Sequence, residues 1–355
     1  MKSRVYFIPV NNTDDQQAIN QKLKYLIDES NVLDFIQKKD KIILKLHFGE
    51  EGNTGFVRPE HVGVIAREAT AKGAEVLLSD ANTLYRGRRL NSCQHRQLAY
   101  EHGFTKEATG ADVFIPDDDQ DGNTAYLEIN QKFIKGAKVA RIFIENDGLI
   151  VVSHFKGHAL TGFGGALKNV GMGCATRQGK LAQHCNVAPV VHIDNCIGCG
   201  ECKKICPVGA IKLVNKKSVV DSLKCIGCAS CLAACPTMAM FIDFKAGSQV
   251  QDKMVEYCLA VLKDKKNKSG FINFAIKINK ECDCWGMENP RIAPDVGILA
   301  SADPVSVDRA SLDLVNRASG KDIFKDVHPD QDATIQLRYA QDIGLGSLDY
   351  ELITL

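Results

Sequence analysis

The sequence has 355 residues, more than one hydrophobic core usually serves, so we expect two or three structural units. Hydrophobic residues make up 45% and charged residues 25%, which excludes a disordered chain. A formal net charge of +1 gives no basic field for a nucleic-acid backbone or an acidic membrane surface. No apolar run approaches the ~20 residues that cross a bilayer, and residues 1–10 lack the features of a secretory signal. We therefore expect a cytoplasmic protein that acts on small molecules or on other proteins.

Apolar strand-like runs alternate with helical stretches along most of the chain. After a first strand within residues 1–10, further strands are predicted at 42–46, 76–78, 113–115, 142–144, 149–152, 271–278 and 296–300. Helices are predicted at 61–72 and 93–102. Cys93 and Cys258 have apolar neighbours in helical stretches, so both are expected to be packed inside. The alternation predicts an α/β fold with a mixed or parallel sheet and crossover helices.

An acidic segment at residues 117–122, followed by Glu128, fits the formula of an EF-hand calcium loop. The context argues against calcium, because residues 113–115 before the segment and 126–129 after it are strand-like, whereas an EF-hand needs two helices. We therefore predict a solvated β-hairpin tip at this place.

A glycine-rich stretch, residues 154–180, gathers cationic and histidine side chains near predicted strand ends. Exposed backbone amides beside fixed cations can hold a carboxylate or a phosphate. The alternative is a glycine-rich turn that only packs against its neighbours. We favour a pocket for a small anionic substrate, and its candidate residues are His154, Lys156, His158, Lys168, Asn169 and Arg177. His47, Asp80 and the group Arg86, Arg88 and Arg89 also follow predicted strands, where α/β folds gather ligands. The alternative for each of them is a solvated surface charge.

Two cysteine runs repeat one pattern, since residues 196–207 and 225–236 each have the spacing C-x2-C-x2-C-x3-C-P. In bacterial ferredoxins this spacing holds two [4Fe-4S] clusters, and the fourth cysteine of each run binds the other cluster. We predict one cluster on Cys196, Cys199, Cys202 and Cys235 and a second cluster on Cys225, Cys228, Cys231 and Cys206. Zinc is the alternative, but zinc takes four ligands in a closed tetrahedron and does not require two tandem four-cysteine runs.

The segments that flank the two runs also repeat, which predicts a pair of short hairpins related by pseudo-symmetry. Strand-like segments precede and follow this module. We therefore interpret residues 191–245 as a ferredoxin-like α+β insertion into one α/β domain, which is formed by residues 1–190 and 246–355.

Cys282, Asp283 and Cys284 place two thiols on a short loop, where both can reach one metal. We predict an additional metal or cluster held by Cys174, Cys185, Cys282 and Cys284. The alternative is that these four are ordinary thiols.

Three motifs carry a resemblance to a known family: residues 154–158 (HFKGH), 164–171 (GGALKNVG) and 302–308 (ADPVSVD). They resemble landmarks of the family called domain of unknown function 362 (DUF362), in its form fused to a two-cluster ferredoxin module. The similarity spans roughly residues 41–314, and Lys45-Leu46-His47 stands where many members have Lys-Pro-Asn. The resemblance implies an iron-sulfur protein with a substrate pocket, and it names no reaction.

These predictions favour an iron-sulfur electron-transfer protein. We expect an oxidoreductase that passes low-potential electrons from two [4Fe-4S] clusters to a small anionic substrate, or to a further metal, in the α/β domain. Its electron donor or acceptor would be a protein such as ferredoxin. The alternative is a non-enzymatic electron carrier or a maturation factor that acts on a partner protein. No G-x-G-x-x-G follows a strand, so a dinucleotide cofactor is not expected.

Overall fold

The computed structural model describes residues 2–84, 87–116, 122–184, 188–242 and 249–355. Its strands, in chain order, are β1 (Ser3–Pro9), β2 (Lys41–Lys45), β3 (Glu75–Ser79), β4 (Asp112–Phe114), β5 (Thr124–Glu128), β6 (Gly136–Ala140), β7 (Gly148–His154), β8 (Lys156–His158), β9 (Gly162–Gly164), β10 (Val190–Val191), β11 (Ile211–Val214), β12 (Lys217–Val220), β13 (Met240–Phe241), β14 (Ser269–Ala275), β15 (Gly297–Ser301) and β16 (Tyr350–Thr354). Eight of them form one sheet in the order β16-β1-β15-β14-β7-β2-β3-β4.

Helices cover both faces of this sheet. They are α1 (Gln16–Ser30), α2 (Pro59–Ala71), α3 (Ser92–Glu101), α4 (Lys106–Thr109), α5 (Ala166–Gly171), α6 (Arg177–His184), α7 (Glu201–Ile205), α8 (Ser230–Ala234), α9 (Val250–Leu262), α10 (Pro304–Ser319), α11 (Ile323–Val327) and α12 (Ile335–Asp342). Within the described ranges, no helix combines the length and apolar character that crossing a bilayer requires.

The large sheet is mostly parallel. β4, β3, β2, β7 and β14 run in one direction, and β15 lies antiparallel between β14 and β1. The central strands β7 and β14 are buried along their whole length, as expected for parallel strands that are covered on both faces. Strands from both sides of the cysteine module therefore join one sheet. The predicted α/β fold with a mixed sheet is confirmed.

Side chains of β7 alternate between two hydrophobic cores, because successive residues of a strand point to opposite faces. Leu149 and Val151 belong to the core that contains residues of α5, α9 and α10. Ile150 and Val152 belong to the core that contains residues of α1 and α2. The chain thus forms a three-layer arrangement whose sheet is inaccessible to water at its centre.

Helix α10 begins in the motif at residues 302–308. Asp303 is its N-cap, and the Asp303 carboxylate accepts hydrogen bonds from the backbone N–H of Val305 (2.8 Å) and of Ser306 (3.0 Å). Pro304 occupies the first turn, where a missing N–H costs nothing. Gly320, with φ of 67°, ends the helix in the left-handed conformation.

The cysteine module contains two copies of one local structure. Gly200 (φ 78°) and Ala229 (φ 63°) precede α7 and α8 in the left-handed conformation. Cys206 (φ −75°, ψ 110°) and Cys235 (φ −74°, ψ 112°) follow the same two helices in almost identical extended conformations. Strands β11 and β12 form a hairpin, whereas β10 pairs antiparallel with β13 and joins the two ends of the module. A left-handed alanine costs about 1–2 kcal/mol, so the second copy keeps this turn despite the penalty.

Three predictions need correction. Residues 142–144 are not a strand, because the chain turns in a 3-10 helix over Arg141–Phe143 directly after β6 and buries Phe143. An apolar run of this length does not distinguish a strand from a turn. Cys93 is exposed, because it lies off the face of α3 that buries Leu98 and Ala99, whereas Cys258 is buried as predicted.

The predicted hairpin at the acidic segment is also wrong. β5 is a strand, but it pairs with β6 and not with β4, which belongs to the large sheet. Residues 117–121, which include most of the acidic segment, lie outside the described residues.

Candidate functional site

Two small cavities in the cysteine module are each lined by four cysteines. Cavity N is lined by Cys196, Cys199, Cys202 and Cys235. Cavity C is lined by Cys206, Cys225, Cys228 and Cys231. Each cavity thus takes three cysteines from one run and the fourth from the other run. The structure brings together the two sets that were named from the spacing, and the presence of clusters in them stays a prediction.

Backbone amides point at sulfur atoms around both cavities. The Ser218 N–H donates to Cys196 Sγ (3.4 Å), the Ala210 N–H to Cys206 Sγ (3.2 Å) and the Gly227 N–H to Cys225 Sγ (3.4 Å). Such donors stabilise thiolates, and around iron-sulfur clusters they tune the reduction potential. The loop before Cys199 requires glycine, because Gly198 has φ of 69° and a Cβ there would lie 2.2 Å from the Lys216 carbonyl oxygen.

The thiols influence one another through charge. Burial, together with the neighbouring thiolates of Cys228 and Cys225, raises the pKa of Cys231 to about 12. The backbone N–H of Ser218 lowers the pKa of Cys196. Four thiolates around one cavity repel each other unless a cation neutralises them. Within the described ranges, no three His, Cys, Asp or Glu side chains converge as ligands of a single metal ion.

A larger cavity of about 790 Å³, here called the central cavity, lies between the large sheet and the module. Lys45, Asp80 and His154 lie at or just beyond the carboxyl ends of β2, β3 and β7, which are neighbouring parallel strands, so the three side chains meet at one edge of the sheet. The module contributes the opposite wall, which is mainly apolar: Leu232, Met238, Met240, Phe241 and Ile242.

Lys45 is completely buried and has several partners. Its ammonium group donates to Asn169 Oδ1 (2.7 Å) and lies 2.9 Å from Asp80 Oδ1. Burial alone would raise the pKa of Asp80, but Lys45, His95 and Arg89 together hold that pKa below its ordinary value. Asp80 is therefore an ionised partner of Lys45 at neutral pH.

Arg89 forms a second buried group with Glu50 and His47. Its guanidinium contacts Glu50 Oε2 (3.1 Å) through Nε and His47 Nε2 (2.9 Å) through one terminal nitrogen. Burial lowers the pKa of His47 well below its ordinary value, and the charge of Arg89 lowers it further. His47 is therefore a neutral imidazole that accepts hydrogen bonds at the cavity wall.

Asp283 holds two of the predicted substrate residues. His154 Nδ1 lies 2.8 Å from Asp283 Oδ1, and Lys156 Nζ lies 3.4 Å from Asp283 Oδ2. His154 Nε2 faces only carbonyl oxygens, those of Ile276 and Lys277, at 3.1 Å. Burial would raise the pKa of Asp283, but His154 and Lys156 lower it overall. The carboxylate is thus ionised.

Cys282 and Cys284 both line the central cavity. Lys168 Nζ lies 3.4 Å from Cys282 Sγ. The neighbouring Cys284 lowers the pKa of Cys282 well below its ordinary value; burial opposes this shift, and Lys168 and Lys156 support it. Cys282 in turn raises the pKa of Cys284 well above its ordinary value. Cys282 is therefore the more acidic thiol of the pair.

Helix α5, which carries Lys168 and Asn169, is held by Asp308 of α10. The Asp308 carboxylate accepts hydrogen bonds from the backbone N–H of Ala166 (2.7 Å) and of Leu167 (2.9 Å) and from Asn273 Nδ2 (2.7 Å). A Cβ on Gly165 would lie 2.2 Å from Asp308 Oδ1. Gly165 of the motif at residues 164–171 therefore lets a carboxylate from another helix approach the start of α5.

The family description "Domain of unknown function (DUF362)" matches residues 42–313. The chain belongs to the DUF362 family. No curated protein matches it. The motifs at residues 154–158 and 164–171 of this DUF362 protein line or support the central cavity, and the motif at residues 302–308 provides Asp308.

Two solved structures are similar to this DUF362 protein. The lactate racemase apoprotein from Thermoanaerobacterium thermosaccharolyticum is 14% identical, with a TM-score of 0.39, over 72% of this chain and 49% of that chain. A protein from Thermotoga maritima is 12% identical, with a TM-score of 0.40, over 89% of this chain and 59% of that chain. The chain thus spans about half of the first structure and somewhat more of the second.

Most of the predicted substrate residues meet in the central cavity. Its lining includes His154, Lys156, His158, Lys168 and Asn169, whereas Arg177 begins α6 and does not line the cavity. Arg88 and Arg89, which follow a predicted strand, also line it, and Arg86 lies outside the described residues. Sequence reasoning missed other lining residues: Lys45, Glu50 and Lys180. Lys45 was detectable near the end of the predicted strand at residues 42–46. Lys180 was not, because α6 shows no clear apolar pattern from which its inward face can be read.

The four cysteines of the predicted third metal site lie in different surroundings. Cys282 and Cys284 line the central cavity, Cys174 lies in the hydrophobic core, and Cys185 lies outside the described residues. Burial raises the pKa of Cys174 to about 12, so it is a neutral thiol. The third metal site stays a prediction. Of its four cysteines, only Cys282 and Cys284 are neighbours in the described part of the chain.

Proposed function

We propose that this DUF362 protein is an iron-sulfur oxidoreductase, in the form of the family that is fused to a two-cluster ferredoxin module. Cavities N and C would each hold one [4Fe-4S] cluster on the four cysteines that line it. The clusters would supply low-potential electrons, one at a time, to a small anionic substrate in the central cavity. Two features of the cavities support this proposal: exchanged fourth cysteines, and amide donors aimed at sulfur.

The geometry of the cavities is compatible with cubanes. The thiolates of a [4Fe-4S] cluster bind at its four corners, so they surround a space and do not converge on one ion. Four mutually repelling thiolates, one of them with a pKa raised to about 12, also require a positively charged metal group before all four can ionise.

One side chain connects the cysteine module to the central cavity, which supports electron transfer between them. Met240 lines both cavity N and the central cavity, and it is only 4% exposed. A cluster in cavity N would thus be separated from a substrate by a single layer of side chains. Among the described residues, none lines both cavity C and the central cavity, so a cluster in cavity C would be the more distant of the two.

The charges of the central cavity favour an anion. Its described lining has six cationic side chains, Lys45, Arg88, Arg89, Lys156, Lys168 and Lys180, against three acidic ones, Glu50, Glu51 and Asp80. The apolar wall from the module excludes water on the other side, which strengthens charge interactions inside. A small carboxylate or phosphate is the class of substrate that suits the net positive charge of this cavity.

The electron donor would be a protein such as ferredoxin. The module exposes apolar side chains near its cysteine loops, including Ile197 (67%) and Ile226 (53%), together with lysines such as Lys203, Lys204 and Lys224. A small acidic carrier suits this surface. Thiolate ligands persist in a reducing compartment, so we place the protein in the cytoplasm.

A single-turnover experiment tests the reaction. The anaerobic protein is reduced, freed of excess reductant and mixed with a series of small carboxylates and phosphates, while cluster absorbance is followed. We expect at least one compound to reoxidise the clusters, and we expect Lys168→Gln to slow this step at least tenfold, because it removes a cation from the cavity. Lys106→Gln, at an exposed surface position, is the matched control. If only partner proteins accept electrons, the protein is an electron carrier and the enzyme proposal is wrong.

A further inference from the structure

The segment Cys282–Asp283–Cys284 forms a fixed turn at the wall of the central cavity. The Trp285 N–H donates to the Cys282 carbonyl oxygen (3.0 Å), which closes a β-turn. The Glu50 N–H donates to the Asp283 carbonyl oxygen (3.0 Å), and the Asp283 side chain is held by His154. The two cysteines line the cavity, whereas the aspartate between them does not. The turn therefore presents both sulfur atoms to the same space.

The separation of the two cysteines suits a disulfide. Residues two apart span at most about 7 Å even in a fully extended chain. The β-turn shortens this separation toward the range of about 4.4–6.8 Å between Cα atoms that disulfides tolerate. Both cysteines lie in one fixed turn and line the same cavity, so oxidation needs no large movement of the backbone.

We propose that Cys282 and Cys284 form a redox-active dithiol that cycles with a disulfide and collects two electrons at the wall of the central cavity. This inference rests on the proposed function for its source of electrons. It differs from the predicted third metal site, because it assigns the pair a reaction of its own and no metal.

In the reduction step, the sulfur-sulfur bond between Cys282 and Cys284 takes up two electrons and one proton and breaks. Cys282 leaves as a thiolate, and Cys284 takes the proton as a thiol. Each reduced [4Fe-4S] cluster donates one electron, so the two clusters of the module match the demand of one disulfide. In the reverse direction, the dithiol gives two electrons and one proton to a substrate in the cavity.

Lys168 favours Cys282 as the thiolate. Its ammonium group lies 3.4 Å from Cys282 Sγ, in a site where Cys282 is only 1% exposed. A cation next to a buried sulfur stabilises the negative charge that remains when the disulfide opens.

Mass spectrometry tests the pair directly. Trypsin cuts after Lys280 and Arg291, so both cysteines fall in one peptide, residues 281–291, with no other cysteine. The anaerobic protein is treated with a mild thiol oxidant, alkylated and digested. After oxidation, we expect this peptide to be unalkylated and two hydrogens lighter than the dithiol form. When the clusters are then reduced with dithionite before alkylation, we expect both cysteines of the peptide to be alkylated. Cys282→Ser and Cys284→Ser must each abolish the disulfide, whereas Cys93→Ser must leave it unchanged.

Three results would overturn the inference. The first is a peptide that carries two free thiols after every oxidant. The second is a metal bound to the pair in stoichiometric amount, beyond the iron of the clusters. The third is a disulfide that dithiothreitol reduces but that stays intact when the clusters, visible by their absorbance, are fully reduced. A colourless protein without clusters would instead contradict the proposed function. The disulfide can still be measured in such a protein, so the two failures are distinguishable.

Discussion

Single buried residues in and behind the wall of the central cavity are each held by charged partners, and these partners control their charge. Lys45 is paired with Asp80, and Asp283 is paired with both His154 and Lys156. A buried charge that loses its partner costs several kcal/mol, since neither water nor another dipole replaces the lost interaction. These groups therefore stabilise the domain and also fix the positions of the cations that face a ligand.

Asp283→Asn tests this at one position. The amide has nearly the same shape, but it leaves Lys156 and the ring of His154 without their negative partner. We expect the free energy of unfolding at pH 7 to fall by about 3 kcal/mol, measured by urea denaturation under anaerobic conditions. Because the folded protein holds the pKa of Asp283 below its ordinary value of 3.8, this stabilisation is present at neutral pH and is lost as the pH falls below that value.

Asp112→Asn is the matched control for this prediction. Asp112 forms an exposed ion pair with Lys106 at 2.8 Å. Solvent screens such pairs, so its loss should cost less than about 1 kcal/mol. Equal losses of stability in the two variants would show that the Asp283 carboxylate does not stabilise the buried charges of His154 and Lys156.

Individual residues differ in how far their role could be predicted from sequence. The eight module cysteines were named from spacing, since three cysteines of each set lie a few positions apart and the fourth ends the other run. Lys168 and Asn169 followed from the glycine-rich motif. Glu50 and Asp283 did not, because each acquires its role from a partner that is distant in the chain, Arg89 and His154 respectively. No local pattern records such a contact.

Among the elements, α5 depends on a neighbouring helix for its position. It is a short helix of six residues, and isolated helices of this length are not stable in water. Asp308 of α10 binds two of its backbone N–H groups. The position of Lys168 and Asn169 in the cavity is therefore set by a residue that lies 140 positions or so later in the chain.

Asp308→Ala should release α5. Three buried donors lose their acceptor, so we expect the free energy of unfolding to fall by about 3 kcal/mol. We also expect weaker binding of small anions, because Lys168 and Asn169 lose their fixed position. The only tryptophan of the sequence, Trp285, lines the cavity, and its fluorescence reports this binding.

Asp313→Ala, on the same helix, is the control. Asp313 pairs with Arg309 at a half-exposed position, at 2.9 Å. It should change stability by less than about 1 kcal/mol and leave anion binding intact. Unchanged fluorescence titrations for Asp308→Ala would contradict the proposed role of Asp308 in positioning α5.

All strands of the large sheet except β16 were predicted, because buried strands are continuous apolar runs, as in β7 and β14. Neither β16 nor the start of α10 at Asp303-Pro304 was predicted. The strand at residues 142–144 failed because three apolar residues also fit a buried turn, and only the position of β6 decides between them. Pairing of β5 with β6 instead of β4 is likewise a tertiary choice.

On the scale of the whole molecule, the cysteine module is attached to the α/β domain by a mixed hydrophobic core. Leu84 and Leu181 of the α/β domain pack with module residues such as Leu232 and Met240. Leu181 lies 3.7 Å from the position of a Cβ on Gly227, in the second cysteine run. This contact fixes the module over the central cavity.

Leu181→Ala should loosen that attachment. We expect a loss of about 2–5 kcal/mol of stability, since the substitution leaves a cavity in a buried contact. Limited trypsin digestion should then cut within the module faster than in the unmodified protein. Leu213→Ala, at a half-exposed position of β11, is the control and should not change the cleavage rate. Equal cleavage of the two variants would show that Leu181 does not hold the module in place.

The central claim is that two cysteine sets, mixed between the two runs, each hold a [4Fe-4S] cluster. The most direct measurement is the iron and acid-labile sulfide content of anaerobically purified protein, together with its paramagnetic resonance after reduction. We predict about eight irons and eight sulfides per chain, two interacting cluster signals, and loss of one signal in Cys196→Ser but not in Cys93→Ser. A colourless protein, or zinc in place of iron, would show that the module does not hold [4Fe-4S] clusters.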